Sequence, residues 1–291
     1  MATSRTIFLS CAIFIQLFAL TTAKPNYQFC YDTGNFTTNS TYQSNLNQVL
    51  SSISSDTEIS NGFYNFSSGE NPDTVYSIGL CRGDVKHEIC RSCISNATQD
   101  IKNLCPIQKA AIVWYDNCML RYSNRSIFGR METGPYFWMY SMINVTERSE
   151  FNQAANSLLA NLTSEAASGD SRLKFATGST ITASSQPIFG LVQCTPDLSM
   201  EDCSGCLTFI RNLLPQCCDG RQGGRVIGPS CHFRYEKEQF YDVIAADVPS
   251  PDSPPLSTLV SPPPPMNTAT TKGKGSNVLI TLITLVSVLS F

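Results

Sequence analysis

Histidine is almost absent from this chain of 291 residues, which contains only His87 and His232. Neither lies in a recognisable nucleophile motif, and the sequence has no phosphate-binding loop, dinucleotide fingerprint or metal-binding constellation. The formal net charge is −3 and no basic run occurs outside the C-terminal tail, which argues against a nucleic-acid binder. We therefore predict a protein that is not an enzyme and needs no cofactor or metal. A hydrolase whose catalytic residues are distant in sequence is the alternative.

The first 23 residues have the pattern of a secretory signal peptide. Arg5 supplies the positive charge, residues 7–20 the apolar stretch and residues 21–23 a small-residue cleavage site. Cleavage removes Cys11 and leaves an even number of cysteines for an oxidising compartment. Seven Asn-x-Ser/Thr sequons also predict a secreted glycoprotein. They are Asn35, Asn39, Asn65, Asn96, Asn124, Asn144 and Asn161.

The C-terminal end combines a spacer with an apolar tail. Residues 246–277 are rich in proline and serine, which predicts an extended, semi-rigid segment. Residues 278–291 are apolar but fall short of the roughly 20 residues that a membrane-spanning helix needs. This layout is typical of a GPI-anchor signal, and the alternative is a weak membrane segment. We expect a secreted or cell-surface protein that meets the membrane only through this tail.

Five cysteines of the first half recur in the second half without a gap. Cys81, Cys90, Cys93, Cys105 and Cys118 return 113 positions later as Cys194, Cys203, Cys206, Cys218 and Cys231. Arg121-Tyr122 returns as Arg234-Tyr235 at the same displacement. The match predicts two copies of one module, at residues 26–130 and 136–245.

Each copy has the pattern of two helices and a sheet. Apolar residues recur at helical spacing in residues 41–53 and 151–162. A second helix is predicted after Asp84 and, in the other copy, after a capping box at Ser199. Residues 110–123 and 224–236 are rich in β-branched and aromatic residues, as strands are. The predicted fold class is α+β, with two tandem disulfide-stapled modules, each an antiparallel sheet packed on two helices.

The C-x2-C pairs permit three interpretations. Zinc is disfavoured because each module lacks a second C-x2-C pair and the chain follows an oxidising route. A thioredoxin-like redox pair is disfavoured because no βαβ pattern accompanies it. Structural disulfides are therefore the favoured interpretation.

The spacing C-x8-C-x2-C, a further cysteine and a last cysteine before Arg-Tyr resemble the plant cysteine-rich repeat of the stress-antifungal, ginkbilobin-like family. Tandem copies resemble cysteine-rich repeat secretory proteins, plasmodesmata-located proteins and the ectodomains of cysteine-rich receptor-like kinases. The resemblance covers residues 26–245. The disulfides that it implies are Cys81–Cys90, Cys93–Cys118, Cys30–Cys105, Cys194–Cys203 and Cys206–Cys231.

Cys217 and Cys218 stand outside this set. Cys218 matches Cys105 in the repeat, but the region that matches Cys30 contains no cysteine. Adjacent Cα atoms lie about 3.8 Å apart, whereas disulfides usually span about 4.4 to 6.8 Å. Our hypothesis is that Cys217 and Cys218 either bridge each other under strain or form a labile, reducible pair.

The resemblance also implies a carbohydrate site. Family members bind mannose through an asparagine after the first cysteine, an arginine six residues before the last cysteine and a glutamate five after it. The second module matches the last two with Arg225 and Glu236, whereas the first has Tyr31, Ile112 and Ser123 at the three positions. Arg225 would supply a donor fork and Glu236 an acceptor. The alternative is that both make ordinary surface salt bridges.

Three functions remain open. The first is a binding module in plant defence or extracellular signalling, with a cell-wall or pathogen carbohydrate as its partner. The second is a kinase-less relative of the receptors that pairs with receptor-kinase ectodomains, because residues 261–275 resemble the stalk of such receptors. The third is a direct antifungal protein.

Overall fold

The computed structural model describes residues 24–56, 61–169 and 173–242. The predicted signal peptide lies outside the described residues, and so do all residues from 243 onward, which include the predicted spacer and the apolar tail. Both modules belong to one compact unit. Their bounds at residues 26–130 and 136–245 stay predictions.

The first module consists of five strands and two helices. In chain order they are β1 (Tyr27–Cys30), α1 (Thr41–Ser55), β2 (Phe63–Ser68), β3 (Val75–Cys81), α2 (His87–Leu104), β4 (Ala111–Trp114) and β5 (Cys118–Ser123). The strands pair antiparallel in the order β1-β4-β5-β3-β2. Apolar side chains of both helices form one core with the sheet.

The second module repeats this arrangement. Its elements are β6 (Phe137–Tyr140), α3 (Arg148–Ser168), β7 (Phe175–Ile181), β8 (Pro187–Cys194), α4 (Met200–Arg211), α5 (Leu214–Cys217), β9 (Gly223–Ile227) and β10 (Cys231–Glu236). The strand order is β6-β9-β10-β8-β7, the same as in the first sheet. The predicted fold class is therefore confirmed, and the one-turn helix α5 is an addition that the sequence pattern did not indicate.

Local sequence explains where the helices begin and how they pack. Ser199 precedes α4 and its hydroxyl accepts a hydrogen bond from the Asp202 amide, which confirms the predicted cap. Helix α3 lies close to the sheet where two glycines face each other on β7 and β8. A Cβ at Gly190 would lie 3.0 Å from the side chains of Leu158 and Leu162, so both leucines would have to shift to admit a larger residue there.

Six of the ten strands were not predicted from the sequence, and burial explains the case of β3. Strand β3 is buried along nearly its whole length, because one face meets the helices and the other meets the second module. Burial of both faces removes the alternation of apolar and polar residues that marks a half-exposed strand. Only β4, β5, β9 and β10 were predicted.

A third apolar cluster joins the two modules. The face of the first sheet that points away from its helices packs against Ile227 and Phe137 of the second module. Trp114 Nε1 donates to the Gly228 carbonyl at 3.3 Å across the same junction. Gln193, which is fully buried, donates to the Cys81 carbonyl and accepts from the Gly83 amide. Both modules therefore share one buried interface, in which the Trp114 indole and the Gln193 carboxamide are hydrogen-bonded.

Candidate functional site

Arg225 makes a contact between the modules. It lies in β9 opposite Arg234, and its Nη1 donates to Asp116 Oδ1 at 2.6 Å. Asp116 follows β4 of the first module and also accepts a hydrogen bond from Asn26. Burial opposes ionisation of Asp116, but the hydrogen bonds from Arg225 and Asn26 outweigh it and hold its pKa below the ordinary value. Arg225 is thus engaged by the partner module.

Glu236 has a different partner. Its Oε1 accepts a hydrogen bond from Arg234 Nε at 3.0 Å, and the Arg234 guanidinium lies over the Phe240 ring at 4.3 Å. The Glu236 side chain covers Gly223 on the neighbouring strand, where a Cβ would meet the carboxylate. Only glycine leaves room for the carboxylate in this position.

The two residues that the resemblance places in one carbohydrate site face different cavities. Glu236 and Arg234 line a cavity of about 270 Å³ together with Ser141 and Gln222. Arg225 lines a smaller cavity of about 50 Å³ between the modules, which Arg234 also borders. Arg225 and Glu236 lie on adjacent strands, but Arg234, which borders both cavities, lies between them.

Strand register identifies the positions that sequence alignment left open. In the first module Cys30 pairs with Ala111, and in the second Tyr140 pairs with Gly224. Ala111 and Gly224 occupy the same position of the repeat, 113 residues apart. Tyr140 therefore stands in the place of Cys30, and Ser141 follows it where the family has asparagine. Ser141 was not predicted because no cysteine marks the register of β6, and Arg234 was noted only as part of the repeated Arg-Tyr pair.

The counterpart site in the first module is closed. Arg121, the repeat equivalent of Arg234, is 3% exposed and its Nη1 donates to Glu132 Oε2 at 2.9 Å. Arg125 also pairs with Glu132, which lies in the segment between the modules. The remaining cavity is about 30 Å³, and burial, assisted by Glu132, raises the pKa of Tyr31 to about 12. This module offers little room for a ligand.

The structure contains six disulfides among the described residues. They join Cys30–Cys105, Cys81–Cys90, Cys93–Cys118, Cys194–Cys203, Cys206–Cys231 and Cys217–Cys218. The last pair is adjacent in sequence, with Cα atoms 3.7 Å apart. Cys218 is fully buried beneath Gly224, and its carbonyl accepts a hydrogen bond from the Tyr235 hydroxyl. Because Tyr140 occupies the position of Cys30, the edge strand β6 contains no cysteine with which Cys218 could form a disulfide. The lability of this pair stays a prediction.

The two histidines lie in different surroundings. His87 is the first residue of α2 and is partly exposed. His232 is half-buried beside the cavity between the modules, where loss of hydration, followed by the positive charge of Arg82, lowers its pKa to about 4. Its imidazole is therefore neutral at neutral pH.

An exposed aromatic strip follows the free edge of the second sheet. We call Tyr136, Trp138, Tyr140, Met142 and Ile143 the aromatic edge; each is at least 38% exposed and Met142 is 79% exposed. Strand β6 is the outer strand beside β9, and the Ser141 amide donates to the Gly223 carbonyl. Because antiparallel pairs alternate, the backbone groups of Trp138 and Tyr140 face away from β9. In the sequence this stretch stood out only by its lack of a cysteine.

The predicted glycosylation sites lie at the surface. Asn35, Asn39, Asn65, Asn144 and Asn161 are exposed, and Asn96 and Asn124 are partly exposed. Glycan attachment stays a prediction. In the part of the chain that the structure describes, no helix has the length and apolarity to cross a membrane.

A family model described as salt stress response/antifungal matches the chain twice, at residues 29–125 and 140–238. Cysteine-rich repeat secretory protein 38 of Arabidopsis thaliana is 44% identical over 70% of this chain and 80% of its own length. An antimicrobial ginkbilobin-2-like protein of Castanea crenata is 40% identical over 78% of this chain and 93% of its own length.

Receptor proteins are also similar to the chain. Cysteine-rich receptor-like protein kinase 25 of Arabidopsis thaliana is 45% identical over 87% of this chain, which spans only 37% of the kinase. The tandem DUF26 ectodomain of the Arabidopsis thaliana cysteine-rich receptor-like protein PDLP5 superposes with a TM-score of 0.60 at 27% identity, over 73% of this chain and 98% of that structure. These relatives include a cysteine-rich repeat secretory protein and the ectodomain of a cysteine-rich receptor-like protein. The chain therefore belongs to the salt stress response/antifungal family and carries two tandem copies of its module.

Proposed function

We propose that the protein acts outside the cell as a non-catalytic binding module that recognises another protein through the aromatic edge. The observation that carries this proposal is a free outer strand whose side chains are mostly exposed and aromatic. Contiguous apolar surface of this kind on a soluble protein is typical of an interaction site.

The aromatic edge offers two kinds of contact at once. The backbone of Trp138 and Tyr140 supplies hydrogen-bond donors and acceptors that a partner strand could pair with. Trp and Tyr side chains are the types that most often dominate binding energy at interfaces. The Arg221 guanidinium packs on the Tyr140 ring at 4.9 Å and donates to the Met142 carbonyl, so the end of the edge is held in place.

The partner that we propose is the ectodomain of a cysteine-rich receptor kinase. Several kinases of this group are more than 40% identical to the chain in their matching segment. Related modules commonly associate through like surfaces, so a kinase-less relative could occupy the place of a receptor in a pair. A role in plant defence or extracellular signalling would follow from such pairing.

Replacing Trp138 and Tyr140 together by serine should weaken this association at least about tenfold, because two aromatic anchors would be lost. Biolayer interferometry against a panel of purified receptor-kinase ectodomains measures the effect. Ile181→Ser is the matched control, since Ile181 is 71% exposed on the opposite outer strand, β7. The proposal is wrong if no ectodomain binds, or if the double variant binds as tightly as the Ile181 variant.

A second candidate is carbohydrate binding of the mannose type at the cavity beside Glu236. Ser141, Gln222, Arg234 and Glu236 give this cavity both donors and acceptors for sugar hydroxyls. Arg225, the other predicted ligand residue, would have to leave Asp116 to join them. Glu236→Gln should weaken binding of methyl α-mannoside at least about tenfold in calorimetric titration. Absence of heat in the unaltered protein would remove this candidate.

Two further features belong to the same proposal. Glycosylation at the seven sequons and GPI anchoring through residues 278–291 would place the module at the cell surface.

Similarity to an antimicrobial relative supports direct antifungal action as the remaining alternative. Growth inhibition by the purified protein would favour that alternative over a signalling role.

A further inference from the structure

A groove in the second module lies apart from the aromatic edge and from the cavity at Glu236. It has a volume of about 340 Å³ and shares no lining residue with that cavity. Helix α3 forms one wall, the end of α4 the other, and α5 with the following turn the floor. The lining residues are Asn152, Asn156, Arg211, Asn212, Leu214, Pro215 and Asp219.

One wall of the groove is held by internal hydrogen bonds. Asn152 Nδ2 donates to Asp219 Oδ1 at 2.7 Å, and Asn152 Oδ1 accepts from the Gly220 amide at 3.0 Å. Arg148 also pairs with Asp219. These bonds fix the turn after α5 before any ligand arrives, which lowers the entropic cost of binding.

The other wall has polar groups without partners. Arg211 Nη1 donates to Asn156 Oδ1 at 3.0 Å, but Arg211 Nε is buried and has no hydrogen-bond partner among the described residues. Within the same residues, Asn156 Nδ2 and the Asn212 carboxamide make no hydrogen bond. Buried N–H groups in folded proteins are nearly always paired. This wall therefore offers hydrogen bonds that the described chain does not use.

We propose that this groove binds a saccharide. Carboxamide, guanidinium and carboxylate groups together provide the donors and acceptors that adjacent hydroxyls require. Pro215, which is exposed, supplies an apolar surface for the C–H face of a sugar ring. The Asp219 carboxylate is already paired with Arg148, so it can accept a hydrogen bond from a hydroxyl without presenting an unpaired charge, which suits an uncharged sugar.

The groove is specific to the second module. The repeat displacement of 113 places Thr98 and Gln99 of the first module at the positions of Arg211 and Asn212. Pro106 stands at the position of Asp219, so the first module lacks the arginine and the carboxylate. Helix α5, which ends in Cys217, also occurs only in the second of the two modules among the described residues. The first module therefore serves as an internal control.

The test is calorimetric titration of the secreted protein with mannotriose, cellotriose, laminaritriose and chitotriose as probes. We expect at least one of the four to bind, and Asn212→Ala and Arg211→Met each to weaken that binding at least about tenfold. Asn212 is exposed, so its substitution leaves the fold intact even if the change at Arg211 does not. None of the three groove asparagines lies in a sequon, so glycosylation is unaffected.

The control variants separate this site from the others. Gln99→Ala, at the repeat position of Asn212, and Ile181→Ser, on the outer strand β7, should bind the sugar as the unaltered protein does. The inference is overturned if none of the four probes binds, or if Glu236→Gln abolishes binding that Asn212→Ala leaves unchanged. It goes beyond the proposed protein recognition, because Trp138→Ser with Tyr140→Ser should weaken protein binding and leave the sugar titration unchanged.

Discussion

Replacing Cys30 and Cys105 together by alanine lowers the free energy of unfolding by about 4 kcal/mol. This disulfide joins residues 75 positions apart, the largest separation among the six described pairs. A cross-link restricts the unfolded chain, and the entropy that it removes grows with the logarithm of the loop it closes. Guanidinium unfolding at 25 °C, compared with the unaltered protein, measures the loss.

The matched control is alanine at both Cys217 and Cys218. Their disulfide joins neighbouring residues and closes almost no loop, so its removal should cost less than about 1 kcal/mol. Both double variants remove two sulfur atoms, and Cys105 and Cys218 are equally buried. Equal losses in the two variants would show that loop closure is not what the Cys30–Cys105 bond contributes.

The contrast between these disulfides bears on the aromatic edge. In the first module the outer strand β1 is tied covalently to the end of α2 through Cys30 and Cys105. In the second module Tyr140 replaces that cysteine, and β6 is held by pairing with β9 and by the packing of Phe137. Tyr140 thus occupies the position at which the first module has a disulfide cysteine, so the position that lacks the covalent link carries an exposed aromatic side chain.

Trp114→Ala should destabilise the protein by about 3 to 5 kcal/mol, the usual cost of truncating a buried large aromatic residue. Trp114 is 2% exposed and lies between the modules. Its ring contacts those of Tyr27 and Phe137, with centroid separations of 6.0 and 5.4 Å. The change leaves a cavity in the cluster that joins the sheets and removes the hydrogen bond to Gly228.

The other tryptophan of the chain is the control. Trp138 is 40% exposed on the aromatic edge, so Trp138→Ala should change the free energy of unfolding by less than about 1 kcal/mol. Denaturant unfolding followed by far-ultraviolet circular dichroism avoids dependence on tryptophan fluorescence. Similar losses for the two variants would contradict the assignment of Trp114 to the junction. If Trp114→Phe lowers the free energy of unfolding less than Trp114→Ala does, part of the effect comes from the volume of the ring.

The candidate sites differ in how far sequence patterns could reach them. Arg225 and Glu236 were found from the family resemblance, but their partners were not. Asp116 is 109 positions from Arg225 and lies in the other module, and no periodicity relates the two. The groove at Arg211 combines short segments of α3, α4 and α5 that carry no common motif. Both sites depend on which elements pack against each other in the folded protein. Amphipathic patterns show which face of an element is buried but not which other element covers it.

The cysteine repeat and the helical periodicity were enough to predict two tandem α+β modules, because disulfide spacing and amphipathic faces are local properties of the chain. The tertiary structure alone decided that the two sheets share an apolar junction, since burying both faces of β3 erases its strand pattern. It also decided that Arg225 binds Asp116 and that Tyr140 replaces Cys30. Each of these follows from strand register and module packing, where the free energy comes from contacts between residues far apart in sequence.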